Sequence, residues 1–93
     1  MRIMGYIEHP HLKITVFQTD GRVSVQFENQ GYELTFKLGE DERLNSLDAI
    51  RNWADAAFLD DVLRNMERMH QSRLAANTRA IPAAADEEFE VIT

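Results

Sequence analysis

Residues 11–39 read HLKITVFQTDGRVSVQFENQGYELTFKLG, and apolar and polar residues alternate through most of the stretch. A period of two marks a strand with one buried and one open face. Asp20-Gly21 interrupts the alternation with two residues that tolerate positive φ, the demand of a two-residue hairpin turn. Gln30-Gly31 is a weaker signal of the same kind. If both are tight turns, the pairing follows by arithmetic. The first sets Val16 opposite Val25 and Ile14 opposite Phe27. The second sets Phe27 opposite Leu34, Val25 opposite Phe36 and Val23 opposite Leu38. Every pair joins apolar to apolar, and a slip of one residue would undo all of them. Two independent turns thus predict one antiparallel meander.

The opening RIMGYIE adds a fourth strand in this reading, with a bend at His9-Pro10 bringing Ile7 beside Leu12 and Ile3 near Val16. The strands are expected at about 2–8, 11–19, 22–29 and 32–38. One face then collects Ile3, Ile7, Leu12, Ile14, Val16, Val23, Val25, Phe27, Leu34, Phe36 and Leu38. It needs a cover, because each large apolar side chain left in water forfeits about 1.5–3 kcal/mol.

Helices supply the cover. Asn45 or Ser46 can cap a helix over about 46–58, whose apolar positions Leu47, Ile50, Trp53, Ala54, Ala57 and Phe58 follow the spacing of a core-facing stripe. A second helix is expected over about 60–77, with Asp60 as its cap, Asn77 as a stop and Pro82 barring continuation. Its apolar set is Leu59, Val62, Leu63, Met66, Met69 and Leu74. At about 100° per residue the two sets would point in nearly opposite directions on a continuous helix. That places a break near Leu59-Asp60, or makes one long bent helix; either way the second stripe faces something other than the sheet.

The second stripe is unusual in composition. His70 and Arg73 lie within it, beside Met66 and Met69. Leu59, Val62, Met66, Met69, Arg73 and Ala76 keep the 3-4-3-4 spacing of a short heptad run. Long polar side chains can escape at the rim of a core stripe. The other reading is a helix–helix contact with another protein or a second copy of this chain, since methionine adapts to a partner and arginine is enriched in interfaces.

A chain of 93 residues with 44% hydrophobic residues is expected to form one α+β domain over residues 1–80. The net charge of −6 is uneven. Residues 1–82 carry all ten Lys and Arg against twelve of the sixteen Asp and Glu. The other four, Asp86, Glu87, Glu88 and Glu90, sit in an acidic tail over residues 81–93, expected to be flexible. Phe89, Val91 and Ile92 within it can serve as a short strand or a linear binding motif. Cysteine is absent, which excludes disulfides and thiolate zinc sites and fits a reducing, cytoplasmic setting. No stretch approaches the ~20 apolar residues of a membrane span.

Catalytic signatures are missing. Neither a phosphate loop nor a dinucleotide fingerprint is present, and no serine sits in a nucleophile elbow. The carboxylates lie mostly at exposed positions beside Arg or Lys, as with Asp60 and Arg64, or Glu28 opposite Lys13. No enzyme activity and no cofactor are therefore expected. Glu8, His9 and His11 form the one cluster with metal-ligand chemistry, at unspecific spacing. On the open face of the sheet Met4, Tyr6 and Phe17 are expected to gather as a small apolar patch. Arg64, Arg68, Arg73 and Arg79 could meet phosphates, but no aromatic residues that stack bases are interleaved with them. The composite expectation is a non-catalytic interaction module. It would bind a protein through Val62, Met66, Met69, His70 and Arg73, with help from Phe89, Val91 and Ile92; nucleic acid and metal are the alternatives.

Overall fold

The computed structural model describes residues 1–80; the tail readings, including Phe89, Val91 and Ile92, lie outside the described residues. The chain forms a four-stranded antiparallel sheet in the order β1-β2-β3-β4, followed by helices. The strands are β1 (Arg2–Ile7), β2 (Lys13–Thr19), β3 (Arg22–Glu28) and β4 (Glu33–Gly39). A 3₁₀ turn (Glu42–Leu44) leads to α1 (Leu47–Trp53) and the long α2 (Ala56–Ala80). This is the α+β meander with two helices that the alternation and the stripes predict.

The central register is the predicted one. Val16 pairs with Val25 and Ile14 with Phe27, across a turn in which Asp20 and Gly21 take φ of 52° and 79°. Both values are positive, as a turn matched to the right-handed twist of a hairpin requires. At the second turn Phe27 pairs with Leu34 and Val25 with Phe36. There the Asn29 side chain substitutes for backbone, its Oδ1 accepting from the amides of Gly31 and Tyr32 at 3.0 and 2.9 Å. Val23 pairs with Gly39 and not with Leu38, because a bulge at Leu38 shifts the ladder by one residue and leads into Gly39 at φ 74°.

Strand β1 corrects the sequence reading more deeply. Ile7 pairs with Ile14, not Leu12, and Gly5, not Ile3, lies opposite Val16. Pro10 has no amide to donate near the bend, and the His11 amide turns to His9 Nδ1 instead, at 3.1 Å. The connection is therefore longer than a tight turn. A bulge between Ile3 and Gly5 then exchanges faces: Ile3 pairs with Phe17 on the open side and is half exposed, while Met4 packs on the core. Gly5 faces α1 so closely that a Cβ there would stand 2.7 Å from Leu47 Cδ2.

The helical boundaries also differ. The break falls at Ala54-Asp55, five residues before the expected one, and α2 runs past Asn77 to Ala80. Ser46 caps α1, its Oγ accepting from the Ala49 amide at 3.1 Å. Asp55, not Asp60, starts α2: its Oδ1 accepts from the Phe58 amide at 2.9 Å. With Phe58 on α2, the opposition between the two stripes disappears. Phe58, Leu59, Val62, Leu63 and Met66 become one continuous core-facing face. Phe58 wedges against Trp53, Phe36 and Phe27, with ring centroids 4.5, 5.2 and 5.6 Å away. Ile14, Val16, Val25, Phe27, Ile50, Val62 and Met66 are all at or below 2% exposure and form the centre of the core.

Candidate partner-binding surface

The burial of α2 changes abruptly along its length. Val62 and Met66 are 1% and 2% exposed. Both belong to the chain's own core, so neither offers surface to a partner of the folded chain, contrary to the sequence reading. Leu59 and Leu63 pack beside them. Met69 is half-buried, and every residue from His70 to Ala80 is exposed. Leu74, at 45% exposure, is a large apolar side chain with water on it. The reason is length. A helix of 25 residues extends about 37 Å at ~1.5 Å per residue, whereas a seven-residue strand spans about 23 Å at ~3.3 Å per residue. The last three turns of α2 run beyond the sheet that covers its first half.

Where the helix leaves the sheet, Tyr32 and His70 tie it down. The Tyr32 hydroxyl and His70 Nδ1 are 2.9 Å apart, and the two rings meet edge to face at 5.8 Å. His70 is thus fixed by the β3–β4 turn, and Arg73 stands one turn further along. On one side of this junction lies an open cleft of about 1050 Å³ at the end of the sheet. His9, His11, Lys13, Glu67, His70 and Arg73 bring its polar groups. On the other side, between α2 and β4, a groove of about 600 Å³ is lined by Tyr32, Leu34, Phe36, Arg68, Met69 and Ser72.

The projecting half is basic. From Glu67 to Ala80 the helix carries Arg68, Arg73 and Arg79 against Glu67 alone. None of the three arginines forms an ion pair among the described residues, whereas Arg64, further back, is paired with Asp61. The predicted Asp60–Arg64 pair is replaced by this i, i+3 contact.

The other sites named from sequence divide sharply. His9 and His11 do approach, with ring centroids 5.9 Å apart, but the His11 amide occupies His9 Nδ1. Among the described residues no group of three or more His, Asp or Glu is arranged to hold a metal ion, so Glu8 does not complete a site with them. On the open face Tyr6 and Phe17 stand where expected, but Ile3 takes the place of Met4. Thr15, paired between Tyr6 and Gln26 on that face, is 4% exposed. Asp41 and Arg43 form a pair away from both surfaces. Side-chain and backbone hydrogen bonds from Arg43 hold the Asp41 carboxyl below its ordinary value, and Asp41 in turn raises Arg43.

Leu74, a stripe residue not named among the expected contacts, and Ile3, expected on the covered face, are both exposed. Leu74 was readable in principle, since nothing beyond residue 39 supplies strand to cover so long a helix. No family model matches the chain, and no curated protein or solved structure is similar to it. Among the described residues no helix is long and apolar enough to cross a membrane.

Proposed function

We propose that this chain is a non-catalytic protein-interaction module whose binding surface is the projecting half of α2. The observation that carries the reading is the exposure of every residue from His70 to Ala80 on a helix continuous with the buried half. A helical segment of that length is marginal in water unless something packs on it. Met69, Arg73, Leu74 and Ala76 supply the contact surface, and the Tyr32–His70 bond orients it. The excess of arginine favours a partner with an acidic rim around an apolar groove. A second copy of the chain brings the same arginines and is less well matched. The lack of cysteine supports a reducing compartment such as the cytoplasm.

The test is Leu74→Asp. Leu74 is outside the core, so thermal unfolding should stay within about 0.5 kcal/mol of the parent. Capture of a partner and the gain of mass in light scattering should both be lost. Unchanged association would remove the projecting helix from the account. Nucleic acid is the second reading, favoured by the three arginines without ion-pair partners among the described residues. It predicts an affinity that falls steeply with salt, by about one power of the salt concentration for each phosphate neutralised.

A further inference from the structure

Strand β4 is an edge of the sheet, and no backbone hydrogen bond from a loop or helix reaches it among the described residues. The opposite edge, β1, is broken by its bulge beside Gly5, whereas β4 is regular from Glu33 to Lys37. A regular open edge is a template for one more strand. The Asn29 amide donates to the Tyr32 carbonyl at 3.0 Å, so the hydrogen-bonded pairs with β3 recur at Leu34 and Phe36. The backbone groups of Glu33, Thr35 and Lys37 therefore point away from the sheet. The same three residues turn exposed side chains to the open face. Neither Glu33 nor Lys37 has an ion pair among the described residues, and Glu33 accepts from the Gln26 side-chain amide. On the helix side Leu34 and Phe36 pack against the core yet stay only half-buried.

The order of residues along this edge selects what covers it. Glu33-Leu34-Thr35-Phe36-Lys37 carries opposite charges at its ends, apolar residues inside them and threonine at its centre. An antiparallel copy turned about Thr35 sets Lys37 against Glu33 at both ends and Leu34 against Phe36 between them. We infer that β4 pairs with β4 of a second copy of this chain, joining two four-stranded sheets into one. Only registers shifted in steps of two keep the outward backbone groups facing one another. A shift of two in either direction leaves both charges without a charged residue opposite. A shift of four sets Glu33 against Glu33, or Lys37 against Lys37. A lone charge on an edge strand resists pairing; this arrangement resists every register but one. The same axis keeps the basic ends of the helices apart. Phe58 meets Phe36 and His70 meets Tyr32, so α2 runs antiparallel to β4. The projecting halves then leave at opposite ends of the joined sheet, taking Arg73 and Arg79 with them. Arg68, which borders the groove beside Leu34 and Phe36, is exposed and keeps its head in water.

A contact of one short strand edge is smaller than the standard interface of about 1,600 Å², so association is expected between about 10 μM and 1 mM. Light scattering on the 93-residue protein should show its mass doubling across that range. Glu33→Lys and Lys37→Glu should each raise the concentration needed at least about tenfold, because like charges then meet at both ends. Both positions are exposed, so the amide spectrum should otherwise stay that of the parent. Mixing the two variants in equal amounts should restore the dimer, since both ends of the mixed pair again join opposite charges. A parent that stays monomeric at about 1 mM, variants that dimerise as the parent does, or a mixture that stays monomeric would each overturn the inference. So would protection of the outward β4 amides that does not change on dilution, which would place the occupant in the same molecule. Leu74→Asp probes the projecting helix separately and should leave the mass of the purified chain alone as it was. Loss of the dimer in that variant would move the contact between copies to the helix and overturn the inference as well.

Discussion

Met66→Ala distinguishes a core stripe from a contact stripe most sharply. The side chain is 2% exposed and lies against Val62 and the sheet. Truncation to Ala removes its transfer free energy and leaves a cavity, costing about 2–5 kcal/mol. About 80 ordered residues at 0.05–0.15 kcal/mol each give a total stability of about 4–12 kcal/mol. The variant therefore loses a large share of it. With a urea slope near ~1 kcal/mol/M for a chain of this size, the midpoint should fall by about 2–5 M. The single tryptophan reports the transition well, because Trp53 packs against Phe58 with ring centroids 4.5 Å apart and loses that contact on unfolding. Leu74→Ala is the control, expected to move the midpoint by less than about 0.5 M. If Met66→Ala behaved like the control while association was lost, Met66 would be a contact residue and the packing of α2 on this sheet would be wrong.

Other perturbations follow from local geometry. Asp55→Ala removes the side-chain acceptor at the start of α2 and should cost about 1 kcal/mol in urea unfolding. Asp60→Ala, at the cap position expected from sequence, should cost less than half of that. Gly21→Ala places a Cβ at φ 79° and should destabilise by about 1–2 kcal/mol, visible as a lower melting temperature. Asp41 should titrate below the ordinary carboxylate value of about 3.9 in carbon-detected NMR, and Arg43→Gln should raise it part of the way back, because the backbone amide of residue 43 still donates to it. Because the folded pKa is lowered, this pair contributes stability that is present above the unfolded value and lost as pH falls through the folded one.

The sheet was legible because its evidence is redundant. Two turns and two faces impose one register, and it fails only at the last expected pair, where the bulge at Leu38 carries Val23 opposite Gly39. Strand β1 lacked that redundancy. Its bulge at Met4 answers to a helix side chain: Leu47 occupies the space over Gly5, and nothing near Gly5 in sequence announces a contact more than forty residues away. The helix break was misplaced because Asp55 and Asp60 are both competent caps followed by helix formers. Tertiary packing chose Asp55, which brings Phe58 onto the Trp53–Phe36 cluster. That choice also sets which part of α2 is buried and which is exposed. With the break at Ala54-Asp55, Val62 and Met66 turn inward, and the Met-rich stripe is divided into a buried half and a projecting half. His70 reads from sequence as a polar intruder in an apolar stripe; in the structure it stands at the boundary, held by Tyr32 from a turn that spacing alone could not bring near.

Amide hydrogen exchange along α2 tests the central claim most directly, because it reports whether residues 70–80 have a partner of their own. The purified protein should protect Leu59 to Met66 strongly and exchange residues 70–80 within the fast, fraying range. Addition of the captured partner should then slow residues 70–80 and leave Leu59 to Met66 as they were. Equal protection of both halves in the isolated monomer would contradict the account, since the projecting helix would then already be satisfied within its own chain.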